Sequence, residues 1–414
     1  MDMVDEVYID TIEELVENGT ISMESLDEAV RRVLRVKFKA GLFENPYIEK
    51  IAVDFDKHMK LAAELAAESM ILLKNDGVLP LDKSDNICIA GPMAADTVNI
   101  LGGWTLSDGK DSVSVLEAME NIGENVHFVD SSFISDIQRE CRYADAVVLV
   151  LGEASNTTGE ARSLTDIELS DAQKELVMKA RRFSKKLVGV ICAGRPLAMQ
   201  NIEPYFDALL YAWHGGSATG NAVSGILFGD ICPSGKAPVT FPRVTGQIPI
   251  YYNVPSSGRY VNGYYGQEAE MRNYEDCSGS PMYPFGYGLS YTDFEYASIK
   301  VDKKQLTCSE LKNGEKFRVS VMIRNSGNYD GKETAQCYIR DVISKMTRPI
   351  RELKGFKKVL IQSGETIDVC FELGFEELGY YCGNGMVDVE PGDFDIFVGG
   401  DCYASVNLSV TVTA

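Results

Sequence analysis

No run of about 18 apolar residues occurs anywhere in the 414-residue chain, so no membrane-spanning helix can be drawn on it. Histidine is scarce: His58, His127 and His214 are the only three and lie far apart. A multi-histidine metal site is therefore not expected. Basic residues are also in deficit, 40 Lys+Arg against 61 Asp+Glu, giving a net charge of −21. That balance repels phosphate backbones and anionic lipid, so no nucleic acid and no membrane surface is expected as a partner. None of the ten cysteines forms a C-x-x-C pair, and Cys88 and Cys192 sit inside the apolar runs NICIAGP and LVGVICAGRP. Such thiols read as small core residues of a reducing compartment, which makes the expected location cytoplasmic. The opening MDMVDEVYID has neither a basic n-region nor an apolar h-region, so no signal peptide is expected.

Three reaction classes lack their motifs. There is no G-x-G-x-x-G for a dinucleotide and no G-x-x-x-x-G-K-[ST] for a nucleotide phosphate; the glycine-rich WHGGSATGN at 213–221 has no lysine where one is needed. A G-x-S-x-G nucleophile elbow is missing as well. What is present is ordinary soluble-protein material, 45% hydrophobic and 24% charged, long enough for two or three domains.

The first segment predicts helix, turn, helix. Val4, Val7, Tyr8, Ile12, Leu15 and Val16 keep a helical period until Asn18-Gly19; Leu26, Ala29, Val30, Val33, Leu34, Lys37 and Phe38 keep another until Gly41 and Pro46. Two helices without a strand cannot make a domain, so this reads as the tail of something larger. From about residue 60, helical segments at 61–74, 113–121, 171–184 and 217–228 alternate with apolar runs. The runs are Ile87–Ala90, Ala146–Leu151, Leu187–Cys192, Ala208–Ala212 and Val239–Phe241. Continuous rather than alternating apolarity means burial on both faces, hence a mostly parallel sheet between helices. Residues 251–292 are rich in Tyr, Gly and Ser and have little period. Beyond them the pattern alternates, as in Phe317, Val319, Val321 and Ile323 or Phe394, Ile396 and Val398, with turns at Asn325-Ser326-Gly327, Ser363-Gly364 and Pro391-Gly392. About seven short strands in ~120 residues predict a β-sandwich of immunoglobulin or fibronectin type.

In a parallel sheet, ligands gather at the carboxyl ends of the strands. The loop after Ala146–Leu151, GEASNTTGEARSLTDIEL at 152–169, carries Glu153, Glu160, Arg162 and Asp166. Cleaving a glycosidic bond takes two carboxyl groups, one able to donate a proton, and a glutamate on such a loop near an arginine suits that role. On composition alone, though, these charges read first as solvated loop decoration. Lys57-His58 leads into an amphipathic helix and reads as surface, Trp104 and Trp213 read as core rather than as sugar platforms, and Arg195 in AGRP reads as an ion-pair partner.

Longer motifs carry a resemblance. MDM (1–3), LDEAVRRVLRVKFKAGLFENPY (26–47), AAESMILLKNDGVLPL (66–81), IAGPMA (89–94) and VLGEASNTTGEARS (150–163) lead into ICAGRPLAM (191–199). ILFGDICPSGKAPVTFPRVTGQIPIYYN (226–253), MYPFGYGLSYTDF (282–294) and RPIRELKGFKKV (348–359) complete the series. In this order, over nearly the whole chain, they resemble the C-terminal portion of the bacterial β-glucosidases of glycoside hydrolase family 3.

The resemblance implies a (β/α)8 barrel whose last helical part and exit would be residues 1–45. A six-stranded, mostly parallel α/β sandwich would follow over 46–292 and a fibronectin-III-like domain over 293–414. The family's nucleophile is an aspartate in a Ser-Asp-Trp-type motif on a late barrel strand. Here Ser-Asp stands at 84–85, 107–108, 135–136 and 170–171, never before tryptophan, so the nucleophile is expected outside this chain. The family's acid/base glutamate lies on a sandwich-domain loop with a signature similar to G-E-A-x-S-R-x-D-I. Gly159-Glu160-Ala161 with Asp166-Ile167 fits it, whereas Arg162, Ser163 and Leu164 depart from the usual Ser-Arg order. Glu160 is the implied acid/base, with Glu153 as runner-up. Substrate-binding residues are not assigned, since in the family most come from the barrel.

By resemblance, the full-length enzyme is expected to be a retaining glycosidase, needing no metal or cofactor, that releases terminal β-D-glucosyl units from a β-glucoside or short oligosaccharide, with the barrel in the same gene or a separate chain as partner. The alternatives are a β-xylosidase or α-L-arabinofuranosidase of the same family, or a catalytically inactive fragment or structural module.

Overall fold

The computed structural model describes residues 4–47, 52–131, 134–255, 274–383 and 385–414. The opening MDM and residues 256–273 of the Tyr/Gly/Ser-rich stretch lie outside the described residues. By its internal contacts the chain divides between residues 55 and 56.

The N-terminal piece holds α1 (Val7–Glu17) and α2 (Met23–Lys39). Ser22 caps α2 by accepting the Ser25 amide at 3.2 Å. Neither helix buries a single residue.

The larger body opens with α3 (Phe55–Ser69) and β1 (Ile71–Asn75). It continues through β2 (Asn86–Ala90), α4 (Val115–Glu120), β3 (Asn125–Val129), α5 (Ile134–Tyr143) and β4 (Ala146–Gly152). Then come α6 (Asp171–Arg181), β5 (Leu187–Cys192), β6 (Ala208–Tyr211) and α7 (Thr219–Leu227). The six strands form one sheet in the order β1-β6-β5-β4-β2-β3, with β1 antiparallel to β6 and all other pairs parallel. Every residue of β4 and β5 is buried. Val147, Leu149 and Leu151 enter the core on one face, while Ala146, Val148 and Val150 enter that on the other. The continuous apolar runs therefore mark strands sandwiched between helices.

Two expectations need correction, and two elements were not foreseen. The helix expected over 61–74 stops at Ser69, because Met70 to Leu73 are four consecutive fully buried apolar residues. A helix buries one stripe, whereas a strand between two layers buries both faces. The run Val239–Phe241 is no strand of the sheet; only Phe241 bridges, to Tyr283. Pro238 and Pro242 flank the run and remove the donors a ladder needs. The edge strand β3 and the following α5 carried no continuous apolar signal, since β3 has one side open to water.

The second layer system is the predicted β-sandwich, of fibronectin-III type. Its strands are β7 (Phe294–Val301), β8 (Gln305–Thr307), β9 (Phe317–Asn325), β10 (Gly331–Asp341), β11 (Glu352–Ile361) and β12 (Thr366–Leu373). The short pair β13 (Tyr380–Tyr381) and β14 (Val387–Asp388) precedes β15 (Gly392–Gly399) and β16 (Val406–Thr413). Sheets β11-β10-β15-β16-β8 and β12-β9-β7 face each other across a core of Phe317, Val319, Val321, Ile323, Ile339, Phe371, Phe394 and Ile396. Leu289 in the connecting segment donates its amide to Leu72 O of β1 at 2.8 Å. On α3, Glu68 receives ion pairs from Lys332 of β10 and Lys358 of β11. The two layer systems of this body are thereby tied together.

Candidate active site

The carboxyl ends of β4 and β5 lie side by side, with Gly152 opposite Cys192. A Cβ on Gly152 would lie 1.8 Å from Cys192 O, so only glycine lets the strands stay this close to their ends. Gln173 of α6 closes β4 by donating Nε2 to Gly152 O and accepting the Gly152 amide at Oε1, both at 2.9 Å. Glu153, directly after β4, and Arg195, three residues past the end of β5, meet each other: Arg195 Nε stands 3.1 Å from Glu153 Oε1.

Glu153 is only 8% exposed, and among the described residues neither carboxylate oxygen has an aligned hydrogen-bond donor. Burial raises its pKa, and the Arg195 charge opposes that rise without cancelling it. His214, just beyond β6, lies nearby: Cβ atoms on Gly102 and Gly194 would come within 2.8 and 3.1 Å of its ring. Its buried Nε2 has no hydrogen-bond partner among the described residues. Burial, with the Arg195 charge adding to it, lowers its pKa and favours the neutral imidazole.

From Glu153 the loop rises in small anchored steps. The Ser155 amide donates to Asn99 Oδ1 at 2.8 Å. Thr157 folds back on Ala154 O through its amide at 3.0 Å and its hydroxyl at 2.7 Å. Arg195 Nη2 then donates to Thr157 O at 2.8 Å. At the crown, Gly159 (φ 112°) and Ala161 (φ 56°) both take left-handed backbone, closed by the Arg162 amide on Gly159 O at 3.2 Å. Glu160 sits between them, exposed, with no ion pair among the described residues. On the descending side, Asp166 Oδ1 accepts from Thr245 Oγ1 at 2.7 Å, and Thr245 Oγ1 accepts the Ile167 amide at 3.2 Å. The loop is pinned at both feet and bent at its top.

The two glutamates are thus different chemical objects. Glu153 is sealed in and matched to a cation, while Glu160 is presented to solvent on a constrained turn and is free to meet a substrate. Arg162 is exposed and reaches no carboxylate among the described residues. Asp166 holds the loop. Arg195 takes the ion-pair role expected of it. Trp104 departs from expectation: it is 75% exposed, and its Nε1 lies 3.4 Å from where a Gly159 Cβ would stand. Trp213 is half-buried against Tyr211 and Phe241. Sequence reasoning missed Asn99, Gln173 and His214. The signal for Gln173 was its place on the helix following β4, while Asn99 and His214 came from loops without a motif. Among the described residues no group of three His, Cys, Asp or Glu could hold a metal ion.

Comparison with known proteins matches residues 70–291 to the glycosyl hydrolase family 3 C-terminal domain and 333–402 to a fibronectin type III-like domain. A periplasmic beta-glucosidase of Salmonella typhimurium is 35% identical over 97% of this chain and 57% of its own length. A beta-xylosidase of Formosa agariphila is 35% identical over 94% of this chain and 56% of its own. A solved beta-glucosidase of Listeria innocua, in complex with glucose, superposes with a TM-score of 0.89 at 35% identity, covering 100% of this chain and 58% of that one. A mutant of the same enzyme was solved with laminaribiose. The chain therefore spans little more than half the length of these relatives.

Proposed function

Because the chain belongs to glycosyl hydrolase family 3, we propose that it supplies the acid/base half of a retaining glycosidase that removes terminal β-D-glucosyl units. Glu160 is the acid/base. The nucleophile is an aspartate of the barrel that precedes this portion in the longer relatives. The aspartate attacks the anomeric carbon while Glu160 protonates the departing glycosidic oxygen. Glu160 then takes a proton from water, whose oxygen attacks the same carbon and frees the aspartate. The observation that carries the choice is the contrast between the two carboxyls: Glu160 is exposed at the crown of an anchored turn, whereas Glu153 is buried against Arg195. An acid must reach its substrate's leaving oxygen, and a sealed carboxyl cannot.

The test uses a form carrying the barrel. Glu160→Ala should cut kcat/KM on oligosaccharides by about 10²–10⁴-fold yet spare kcat/KM on aryl glucosides with acidic leaving groups, which depart without a proton. Azide should raise kcat of that variant on the aryl glucosides, because breakdown of the glycosyl-enzyme has lost its general base and a small anion needs none. Glu153→Gln should give no azide rescue, since the Glu160 carboxylate still occupies the site. Azide rescue of the Glu153 variant in place of the Glu160 variant would reverse the assignment.

A second substrate, a terminal β-xyloside, is favoured by the equally similar Formosa relative; comparing kcat/KM on p-nitrophenyl β-D-glucoside and β-D-xyloside decides between them. The 414 residues alone should not hydrolyse either substrate above background. One carboxyl group lacks the partner that the double displacement requires, and turnover by the pure chain would reveal a nucleophile within it.

A further inference from the structure

We propose that Arg195, held in place by Glu153, is the positioning residue that sets the Glu160 carboxyl for proton transfer. The inference rests on Glu160 being the acid/base. One guanidinium makes two contacts in different directions: Nε faces Glu153 Oε1 at 3.1 Å, and Nη2 donates to Thr157 O at 2.8 Å. Thr157 stands three residues before Glu160, at the last hydrogen-bonded carbonyl held by Arg195 below the Gly159–Ala161 turn. Glu153 directly follows β4 and Arg195 lies three residues past β5, its neighbour in the sheet, so the guanidinium is held close to the paired strand ends. A further clamp comes from Tyr211, whose hydroxyl bonds the Arg195 carbonyl and accepts the Leu197 amide at 3.1 Å. The positional order of β4 and β5 thus passes through a planar, always-charged fork to the foot of the catalytic turn.

A buried ion pair of this kind is a poor stabiliser, because desolvation offsets most of its attraction. Its retention at the base of this loop makes sense as geometry. A displacement of about 1 Å in a reacting group can cost about 10²-fold in rate, and a charge-assisted bond to a carbonyl fixes position better than a neutral one. Glu153 therefore acts through Arg195 and never touches the sugar.

Two measurements test this. In the 414-residue chain, Arg195→Met should raise amide hydrogen exchange at Thr157 and Arg162 by about tenfold or more, leaving β4 and β5 unchanged. In the barrel-bearing form, Arg195→Met should cut kcat on a disaccharide by about 10–100-fold and on 2,4-dinitrophenyl β-glucoside by about threefold or less, without azide rescue. Arg195→Lys should recover part of the disaccharide rate, and Glu153→Gln should reproduce the Met variant's pattern more weakly. Unchanged exchange, or equal losses on both substrates, would overturn the positioning role. Should Arg195→Met fail to fold, the Lys and Gln variants decide by the same leaving-group comparison. If the Glu160→Ala control itself shows no leaving-group dependence, the acid/base assignment fails first and this role falls with it.

Discussion

Gly103 lies against the Thr158 carbonyl so closely that a Cβ there would stand 2.3 Å from Thr158 O, and 2.8 Å from Ser155 O. With the Asn99–Ser155 hydrogen bond, this contact makes the 99–104 loop and the Glu160 loop one packed unit. Asp96 stiffens the first loop in turn, accepting the Val98 amide at 2.8 Å and bonding Asn99 through both its amide and its side chain.

Gly103→Ala should therefore force backbone apart, since the obstructing atoms are carbonyl oxygens and no flexible side chain can give way. A loss of about 1–3 kcal/mol is expected, read as a lower urea midpoint at unchanged m-value. Gly19→Ala in the α1–α2 turn is a useful contrast. There a Cβ meets nothing, and only the left-handed φ of 76° is at stake. A Gly103 variant as stable as the parent would show that the two loops are not in contact in solution.

Trp104 is the exposed aromatic surface bordering the Glu160 turn. If the leaving group packs on it, Trp104→Ala in the barrel-bearing form should raise KM for oligosaccharides about tenfold. That corresponds to about 55 Å² of apolar contact at ~25 cal/mol per Å². Small aryl glucosides should feel less of the effect. Equal KM changes for long and short substrates would remove Trp104 from the leaving-group side.

Much of this architecture was legible in advance, and the failures have physical causes. β4 and β5 showed themselves because both faces are buried, so apolarity is unbroken from Ala146 to Leu151 and from Leu187 to Cys192. β3 did not, since an edge strand facing water alternates weakly. β1 was hidden because the apolar stripe of α3 runs straight into the buried Met70–Leu73, with no glycine or proline between them to mark the change of period. At the site, spacing found the loop and its two glutamates, but depth is a three-dimensional property that spacing does not carry. The Glu153–Arg195 pairing spans 42 residues; its only trace in the sequence is that each follows a buried run ending in a parallel sheet. Trp104 was misjudged because tryptophan is usually buried, and nothing local announced a glycine-lined ledge.

Glu68 offers a stability test with a defined sign. Burial alone would raise its pKa, but hydrogen bonds and charge from Lys332 and Lys358 outweigh this and hold it below the ordinary value of 4.5. A depressed carboxylate contributes stability above its unfolded pKa and loses it as pH falls through the folded one. Glu68→Gln should thus cost about 1 kcal/mol at pH 7, in keeping with partly exposed pairs, and nothing once the pH lies below both the unfolded and the folded pKa. The check is urea unfolding of parent and variant across that range. A difference that persists undiminished in acid would mean Glu68 acts through packing rather than charge.

The α2 helix makes the last expectation. Val30, Val33, Leu34 and Phe38 repeat at intervals that place them on one face, and all four are exposed. Phe38 stacks on Phe43 with ring centroids 4.3 Å apart, which extends the apolar strip past the helix end. A strip of this size on an otherwise acidic chain attracts another apolar surface or a dye. The purified 414-residue chain should therefore bind anilinonaphthalene sulfonate and grow in apparent mass with concentration by light scattering. Replacing Val33 and Phe38 together by serine should reduce both signals while leaving the β-sandwich and sheet unfolding transition in place, because neither residue belongs to a buried cluster. A chain that stays monomeric and dye-free at every concentration would mean that this face is covered by residues of the chain itself.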